Sequence, residues 1–478
     1  MRSSWKMTRR QFGKTATAAA AVTVLPRYVL GGATFVPPSD TINVAIVGCG
    51  GQGRTNARNL MRHEDVRIIA LADPREQADY RRFYYRGKAG RLPVKGEVTQ
   101  RYAKHDPSYE CRDYVDFRKM LDAEKAIDAV LCATPDHWHA FVTMTAMRRG
   151  KHVYCEKPLT HNVWEARKIA KAAEETGVAT QLGNQGRSSG SHRVTCEWIW
   201  NDAIGPVRQV HAWSGAGGWA KGRGRPDGRP PVPDGFDWDL WLGPEPPRPY
   251  HPAYAPYNWR GWWAFGTGAI GDMMVHNVDP AFAALDLTDR HPAWVECVKT
   301  EFVDSEVIAP NNHVTWHFEA EGARPALDVH WYDGRLRPER PKELEDGRRM
   351  GGGGNGVFIV GKKGTIMGGG WSKSARIIPE AKMQAYQRAN KGKQSPRTLR
   401  KSKGHHRDWL DACKGGPPAR SRFQYGARLT EFVLLGNVAI RAKERIQWDG
   451  EKMKVTNVPA AQEWVQEPYR QGFDLEAV

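Results

Sequence analysis

No stretch of this 478-residue sequence approaches the roughly 18 consecutive apolar residues of a membrane span. Cysteine is scarce and badly placed for covalent or metal cross-links. There are seven, an odd number, and none forms a Cys-x-x-Cys pair, which argues against a disulfide framework and against a cysteine zinc site. Cys132 and Cys155 lie in apolar, strand-like runs and read as small buried hydrophobes. No internal repeat is visible. No pair of carboxylates of the kind that flanks a scissile glycosidic bond is evident either.

The apolar fraction of 40% and charged fraction of 26% are those of a globular chain long enough for two domains with real cores. The net charge of +18 would attract anionic surfaces. Its lysines and arginines are scattered, densest between Arg335 and Lys403 in a stretch rich in glycine and proline. That distribution reads as a solvated basic face rather than a nucleic-acid footprint. An anionic polysaccharide as substrate or neighbour is the second reading.

What the sequence does contain is organised around Thr41-Ile42-Asn43-Val44-Ala45-Ile46-Val47-Gly48-Cys49-Gly50-Gly51-Gln52-Gly53. A β-branched apolar run enters Gly48-x-Gly50-x-x-Gly53, and a helical pattern follows, the order that a dinucleotide fingerprint requires. Gly48 allows the tight turn, Gly50 lets backbone approach a pyrophosphate, and Gly53 lets the helix pack against the strand. A second run, Arg67 to Ala72, ends on Asp73 at the distance expected of a ribose-binding acid. Asp73 favours NAD, since its carboxylate would bond a ribose 2′-hydroxyl and repel a 2′-phosphate; Arg75 and Arg54 leave NADP open.

Ahead of this, Thr8-Arg9-Arg10-Gln11-Phe12-Gly13-Lys14 and an alanine-rich region through Leu25 read as a twin-arginine export leader, with residues 1–38 as signal and linker. Residues 39–183 alternate strand and helix, the pattern of a doubly wound parallel sheet. The further strands expected there are 126–132, 152–155 and 178–182, with helices over 140–149 and 163–176. Residues 84–105 show no clear periodicity and read as a surface loop. From 184 to 458 strand-like segments (207–213, 293–302, 313–319, 326–331, 355–366) lack regular intervening helices. They predict an α+β domain with a mostly antiparallel sheet, with helices near 194–202 and 425–443 and a tail over 459–478. Gly351 to Gly354 opens no helix and reads as a loop.

Four groups could carry chemistry. Thr134-Pro135-Asp136-His137-Trp138-His139 follows a buried strand and so faces the ligand crevice, where His137 and His139 read as ligands or bases, or as packing. Glu156-Lys157-Pro158 follows the next strand to the same crevice, where a lysine can polarise a hydroxyl. Within Gly266 to Asp279, Asp272 and His276 stand four apart on one helical face. A carboxylate there can orient an imidazole and raise its basicity. Zinc would need a third ligand that nothing nearby supplies, so no metal is expected. The fourth group is aromatic: Trp213, Trp219, Trp238, Trp241, Trp259, Trp262 and Trp263 among Pro, Gly and Tyr, suited to lining a carbohydrate cleft or to packing.

The glycine fingerprint, Glu156-Lys157-Pro158 and Asp272-x-x-x-His276, in this order, resemble the Gfo/Idh/MocA oxidoreductases from Ile42 to about Trp448. The resemblance implies a nucleotide domain, an open-sheet second domain and a site between them. It also implies a homo-oligomer and NAD(P)-dependent oxidation or reduction of a secondary hydroxyl of a sugar or polyol. By motif, Gly48, Gly50, Gly53, Asp73, Thr134, Pro135, His139, Glu156 and Lys157 would hold the cofactor. Lys157 would contact the reacting hydroxyl, Asp272 would hold the imidazole or the substrate, and His276 would be the acid/base. The family's usual Thr-Pro-Asn turn is Thr134-Pro135-Asp136 here. Export would leave the enzyme without free NAD, which points to a cofactor kept through the cycle. Plain dehydrogenation, redox-assisted glycoside cleavage and a catalytically inactive sugar-binding protein all remain compatible with the sequence.

Overall fold

The computed structural model describes residues 40–83 and 85–478. The leader expected over residues 1–38 lies outside them.

The first layer is a six-stranded sheet of β1 (Ile42–Val47), β2 (Val66–Ala72), β5 (Arg112–Tyr114), β6 (Ala129–Cys132), β7 (His152–Cys155) and β8 (Thr180–Leu182). Its order is β5-β2-β1-β6-β7-β8, and every pairing is parallel. β1 and β6 are buried along nearly their whole length because helices cover both faces of the sheet, so they read as continuous apolar runs. Strand order reverses between β1 and β6, and ligands of such sheets sit outside the strand ends at that point. The two loops that meet there are the glycine turn after β1 and Ala133-Thr134-Pro135 after β6. They are in contact: a Cβ on Gly48, whose φ is +87°, would lie 2.6 Å from the Ala133 carbonyl carbon.

The stretch from 84 to 105 is not a bare loop. It carries β4 (Lys88–Ala89), paired antiparallel with β3 (Ala78–Asp79), and a helix, Arg91–Tyr102. Only Val94 and Val98 of that helix are buried. Two apolar residues one turn apart suffice to dock a helix on a formed sheet, yet they are too few to register as a periodic pattern. β5 and the helix Phe117–Ala123 were hidden for the same reason of shortness.

The second sheet has nine strands: β9 (Val207–Trp213), β10 (Trp294–Thr300), β11 (Asn312–Phe318), β12 (Leu327–Tyr332), β13 (Gly356–Gly361), β14 (Thr365–Gly368), β15 (Arg376–Ile378), β16 (Ile446–Asp449) and β17 (Lys454–Val455). Only the β9–β12 pairing is parallel. The expected single run over 355–366 is a hairpin of β13 and β14, turned by Lys362-Lys363-Gly364, with Gly361 N donating to the Gly364 carbonyl at 2.9 Å. One face of this sheet rests on the 20-residue helix Phe423–Ala442. Gly436 makes that approach possible, since a Cβ there would come within 2.5 Å of the Trp316 ring. The same helix also packs on Val163–Thr176 of the first layer, where Arg167 donates to both Glu431 carboxylate oxygens at 2.9 and 2.8 Å. One continuous hydrophobic core therefore runs from the parallel sheet into the second domain.

Candidate active site

A pocket of about 920 Å³ opens at the switch point, at the upper end of the range for small-molecule sites. Gly48, Gly50, Asp73, Thr134, Pro135, His139, Glu156, Lys157, Asp272 and His276 all line it. Gly53 does not, but its place is equally constrained: a Cβ there would fall 1.9 Å from the Gly48 carbonyl oxygen. This is the cradle that a dinucleotide needs, with close-packed glycines and the N-terminus of the helix Gly51–Leu60 directed at the turn. At the end of β2, Asp73 is ordered by two backbone donors, Cys49 N at 2.6 Å and Arg75 N at 2.8 Å. Burial raises its pKa against those bonds. Of the two arginines that left NADP open, Arg54 is held by Glu97 at 2.6 Å, whereas Arg75 lines the pocket and stacks on Phe236.

The hairpin of β3 and β4 lies over this turn. The Tyr80 hydroxyl comes within 2.8 Å of a Cβ placed on Gly50, and the Tyr85 ring within 2.1 Å of one placed on Gly51. On its other side the hairpin meets the second domain, where Phe83 stacks on Tyr257 with ring centroids 4.6 Å apart and Tyr80 donates to the Pro256 carbonyl at 3.4 Å. No sequence pattern marks these tyrosines.

Glu156, Lys157 and Pro158 leave β7 toward the same point. The Glu156 carboxylate accepts from Gln52 (3.0 Å), Asn56 (2.9 Å) and Gln185 (3.1 Å), so it is a fixed acceptor that ties the glycine helix to the loop after β8. Asp272 sits in a π-helical turn, Ile270–Met274, which passes directly into Val275–Asn277 and His276. Such single-turn widenings concentrate at functional sites. Gly271 allows the two loops to close, for a Cβ on it would lie 3.1 Å from the Pro158 ring and 1.9 Å from Thr267 Oγ1. Lys157 Nζ thereby reaches Asp272 Oδ1.

The electrostatics differ from the sequence expectation in one respect. Asp272 does raise the basicity of His276, but by less than burial and Lys157 lower it. Its Oδ1 takes Lys157 and also Arg260 Nε at 3.3 Å. Burial opposes ionisation of Asp272, but the two cations outweigh it and hold the carboxyl below the usual carboxylate range. His276 is buried beside the Lys157 ammonium, and its pKa is pushed down to about 3 by desolvation first and by Lys157 second, with Asp272 opposing. The resting imidazole is neutral.

His137 and His139 are both held by backbone carbonyl oxygens. His137 lies outside the pocket, its Nε2 3.0 Å from the Trp241 carbonyl and its Nδ1 3.3 Å from that of Phe265. His139 touches the pocket, but its nitrogens meet the carbonyl oxygens of Pro158 (2.6 Å) and Thr134 (3.0 Å). It clasps the two loops together. Cys132, His139 and Cys155 form the one group of potential metal ligands among the described residues.

The tryptophan cluster divides. Trp213, Trp238, Trp241, Trp262 and Trp263 are at most 8% exposed and serve mainly as packing. Trp219, Trp241 and Trp259 line the pocket, joined by Trp138 and Trp371 from outside the cluster. Two residues that matter went unread in the sequence. Arg260 gave no local signal. Trp371, a lone tryptophan after Gly368-Gly369-Gly370, stood outside the cluster.

Two domain models of one family match this chain: "Oxidoreductase family, NAD-binding Rossmann fold" over residues 42–184 and "Oxidoreductase family, C-terminal alpha/beta domain" over residues 218–333. Together they span more than half of the sequence, and the chain belongs to the Gfo/Idh/MocA family of NAD(P)-binding oxidoreductases. Among curated proteins it is similar to 1,5-anhydro-D-fructose reductase of Ensifer adhaerens, 31% identical over 33% of this chain and 38% of that protein. It is also similar to a glycosyl hydrolase family 109 protein of Solibacter usitatus, 27% identical over 29% of each. These matches span well under half of the relatives' lengths. The fold is shared with the WlbA dehydrogenase of Bordetella pertussis, solved in complex with NADH and UDP-GlcNAcA, at TM-score 0.54 and 16% identity over 85% of this chain and 99% of that one.

Proposed function

We propose that the chain oxidises or reduces a secondary hydroxyl of a sugar, polyol or glycoside by hydride transfer, with NAD as the preferred cofactor. The observation that carries this reading is that one pocket holds the glycine turn, Asp73, Lys157, Asp272 and His276 together. Gly48, Gly50, Gly53 and Asp73 would hold the dinucleotide, with Thr134, Pro135 and Glu156 beside it. Bound there, a nicotinamide supplies a two-electron hydride acceptor or donor at carbon.

In the oxidation direction the O–H proton passes to the neutral His276 imidazole as the carbinol hydrogen leaves as hydride. Base and acceptor must flank one carbon, which the shared pocket allows. The Lys157 ammonium stabilises the developing alkoxide, and Asp272 holds that ammonium in place. As Lys157 shares its charge with the alkoxide, it depresses the imidazole less, so His276 becomes a stronger base as the proton moves.

Two further features belong to the proposal. The Tyr80–Tyr85 hairpin over the glycine turn favours a cofactor retained from one turnover to the next, which suits an exported enzyme; export itself rests on the leader. Redox-assisted glycoside cleavage is the second reading, favoured by the likeness to a family 109 hydrolase. It is also favoured by the commitment of the pocket's Glu156 to amides and of Asp272 to cations, which leaves neither to act in a carboxylate pair.

An absorbance and mass spectrum of the purified protein, followed by a screen of sugars and aryl glycosides with and without added NAD, tests these points. Reduction of nicotinamide that disappears in His276→Ala supports the assignment. Near-normal turnover in that variant overturns it. Release of aglycone without added NAD selects the second reading.

A further inference from the structure

Trp371 is held in an unusual way. It stands in a short turn, Gly370–Ser372, with φ +55° and ψ +34°, the left-handed region that a bulky residue rarely adopts. Two contacts impose it. Its N–H donates to the side-chain oxygen of the fully buried Asn277, the residue after His276, at 3.3 Å. From the other side the Gln185–Ser188 turn presses in so closely that a Cβ on Gly186 would lie 2.7 Å from the Trp371 carbonyl oxygen. Strain of this kind persists only where surrounding structure over-determines it, and it clusters at ligand sites. The outcome is a tryptophan 38% exposed in the pocket wall, its ring centroid 5.8 Å from that of His276 and tilted 44° to it.

Two residues on, Lys373 lines the same pocket with its ammonium 5.8 Å from the Trp371 ring centroid. Two other cations of the pocket are already used: Lys157 is paired with Asp272, and Arg260 with Asp136 and Asp272. Among the described residues no carboxylate lies within ion-pair distance of Lys373. The wall beside the acid/base residue is thus an aromatic ring with an ammonium over it that no carboxylate among the described residues pairs. A pyranose stacks on the open part of such a ring through its C–H groups, and the neighbouring ammonium selects an anionic substituent on that sugar.

We propose that Trp371 and Lys373 form the substrate subsite and that the substrate is a pyranose carrying a single negative group, a carboxylate or a sulfate ester, stacked on Trp371 and paired with Lys373. This inference rests on the hydride-transfer reading for the identity of the reacting site, and its test is chosen to separate the two.

The probes are glucose, glucuronate and glucose 6-sulfate, each titrated against the holoprotein by tryptophan fluorescence and, separately, by reduction of bound nicotinamide. The expected result is binding of one or both anionic sugars at least about tenfold tighter than glucose, weakening as salt is raised. Lys373→Gln should remove most of that preference. Lys373→Arg should keep it, and Trp371→Ala should abolish the fluorescence change and raise KM more than it lowers kcat. Preference for glucuronate alone identifies a uronate site, and preference for the sulfate alone a sulfated-sugar site. Equal binding of glucose and both anions overturns the inference, even if all three reduce nicotinamide. Tight anion binding that depends on Lys373, with no reduction by any sugar, upholds the subsite and counts against hydride transfer.

Discussion

Asp136 and Arg260, 124 residues apart, join side chains, with the guanidinium 3.3 and 3.4 Å from the two carboxylate oxygens. The same guanidinium reaches Asp272 Oδ1 at 3.3 Å, so one cation spans the turn after β6 and the carboxylate that positions Lys157. The departure from the usual Thr-Pro-Asn turn is therefore compensated in space. The charge that Asp136 introduces is balanced by Arg260, and its Oδ2 is further fixed by Thr267 N (3.1 Å) and Oγ1 (2.6 Å).

Restoring the family's usual residue should harm this chain. Asp136→Asn leaves the buried Arg260 with half its compensation and should cost about 3 kcal/mol, the scale for losing one partner of a buried pair. The double variant Asp136→Asn, Arg260→Gln should recover part of that loss. Urea unfolding of the four proteins of the cycle checks it; additive single losses would mean the pair is not coupled.

His276 with its pKa near 3 is uncharged throughout the neutral range. The acid limb of kcat/KM should lack the inflection near 6.5 of an ordinary histidine and stay level from about pH 8 down to about pH 5. His276→Ala should lower kcat by about 10² to 10⁴. A pH–rate profile on wild type, with the variant as control, decides both points. A break at 6.5 belonging to His276 would show that the imidazole is far less desolvated than the buried geometry implies.

Acid should unfold the protein early. His137, His276 and His406 are pushed down to about 3 and His211, His313 and His405 to about 4, in every case chiefly by burial. The unfolded chain protonates these near 6.5, so between about pH 6.5 and 4 it binds more protons than the folded chain, and stability falls as pH falls. Asp333 and Glu245, raised by burial to about 7 and about 8, act in the opposite sense, since the folded form holds their protons while the unfolded carboxylates have lost them. The histidines outnumber them. Thermal melts from pH 8 to 4.5 should show Tm dropping steeply below pH 6; a flat or rising Tm would contradict the burial of these rings.

Loosening the hairpin should speed cofactor exchange. Tyr85→Ala removes the ring that packs on Gly51 and the hydroxyl that donates to Gln52 Oε1 at 3.2 Å. The off-rate of NAD, read by displacement with a fluorescent analogue, should rise about tenfold with little change in Tm. An unchanged off-rate would remove the hairpin from any role in retention.

Much of this architecture could be read from residues alone, because long buried strands and glycine turns leave strong local marks. The run Ile42 to Val47 has no other comfortable home than the centre of a parallel sheet, and Gly48, Gly50 and Gly53 serve only a turn of this kind. The helix Val163–Thr176 was legible to the residue because Asn162 and Glu165 close a capping box and Gly177 ends it in the left-handed region. What escaped was whatever depends on distant partners. The helix Arg91–Tyr102 is held by a surface that must already exist. The pKa of His276 depends on Lys157, 119 positions earlier in the numbering, and the Asp272-to-Arg260 pairing on a loop with no pattern. Trp371 gave only a composition, and its conformation is set by Asn277 and Gly186.

The hairpin that lays Tyr80 and Tyr85 on the glycine turn bears on kinetics as well as on structure. A nicotinamide that leaves more slowly than the enzyme turns over makes each molecule of protein its own stoichiometric reservoir of reducing equivalents. The first half-reaction then loads the reservoir, and only a second oxidisable or reducible partner, or the same molecule later in its own transformation, can empty it. Such an enzyme gives parallel double-reciprocal plots for its two half-reactions. It also stalls after a single equivalent when only one partner is offered, whatever concentration of free coenzyme surrounds it.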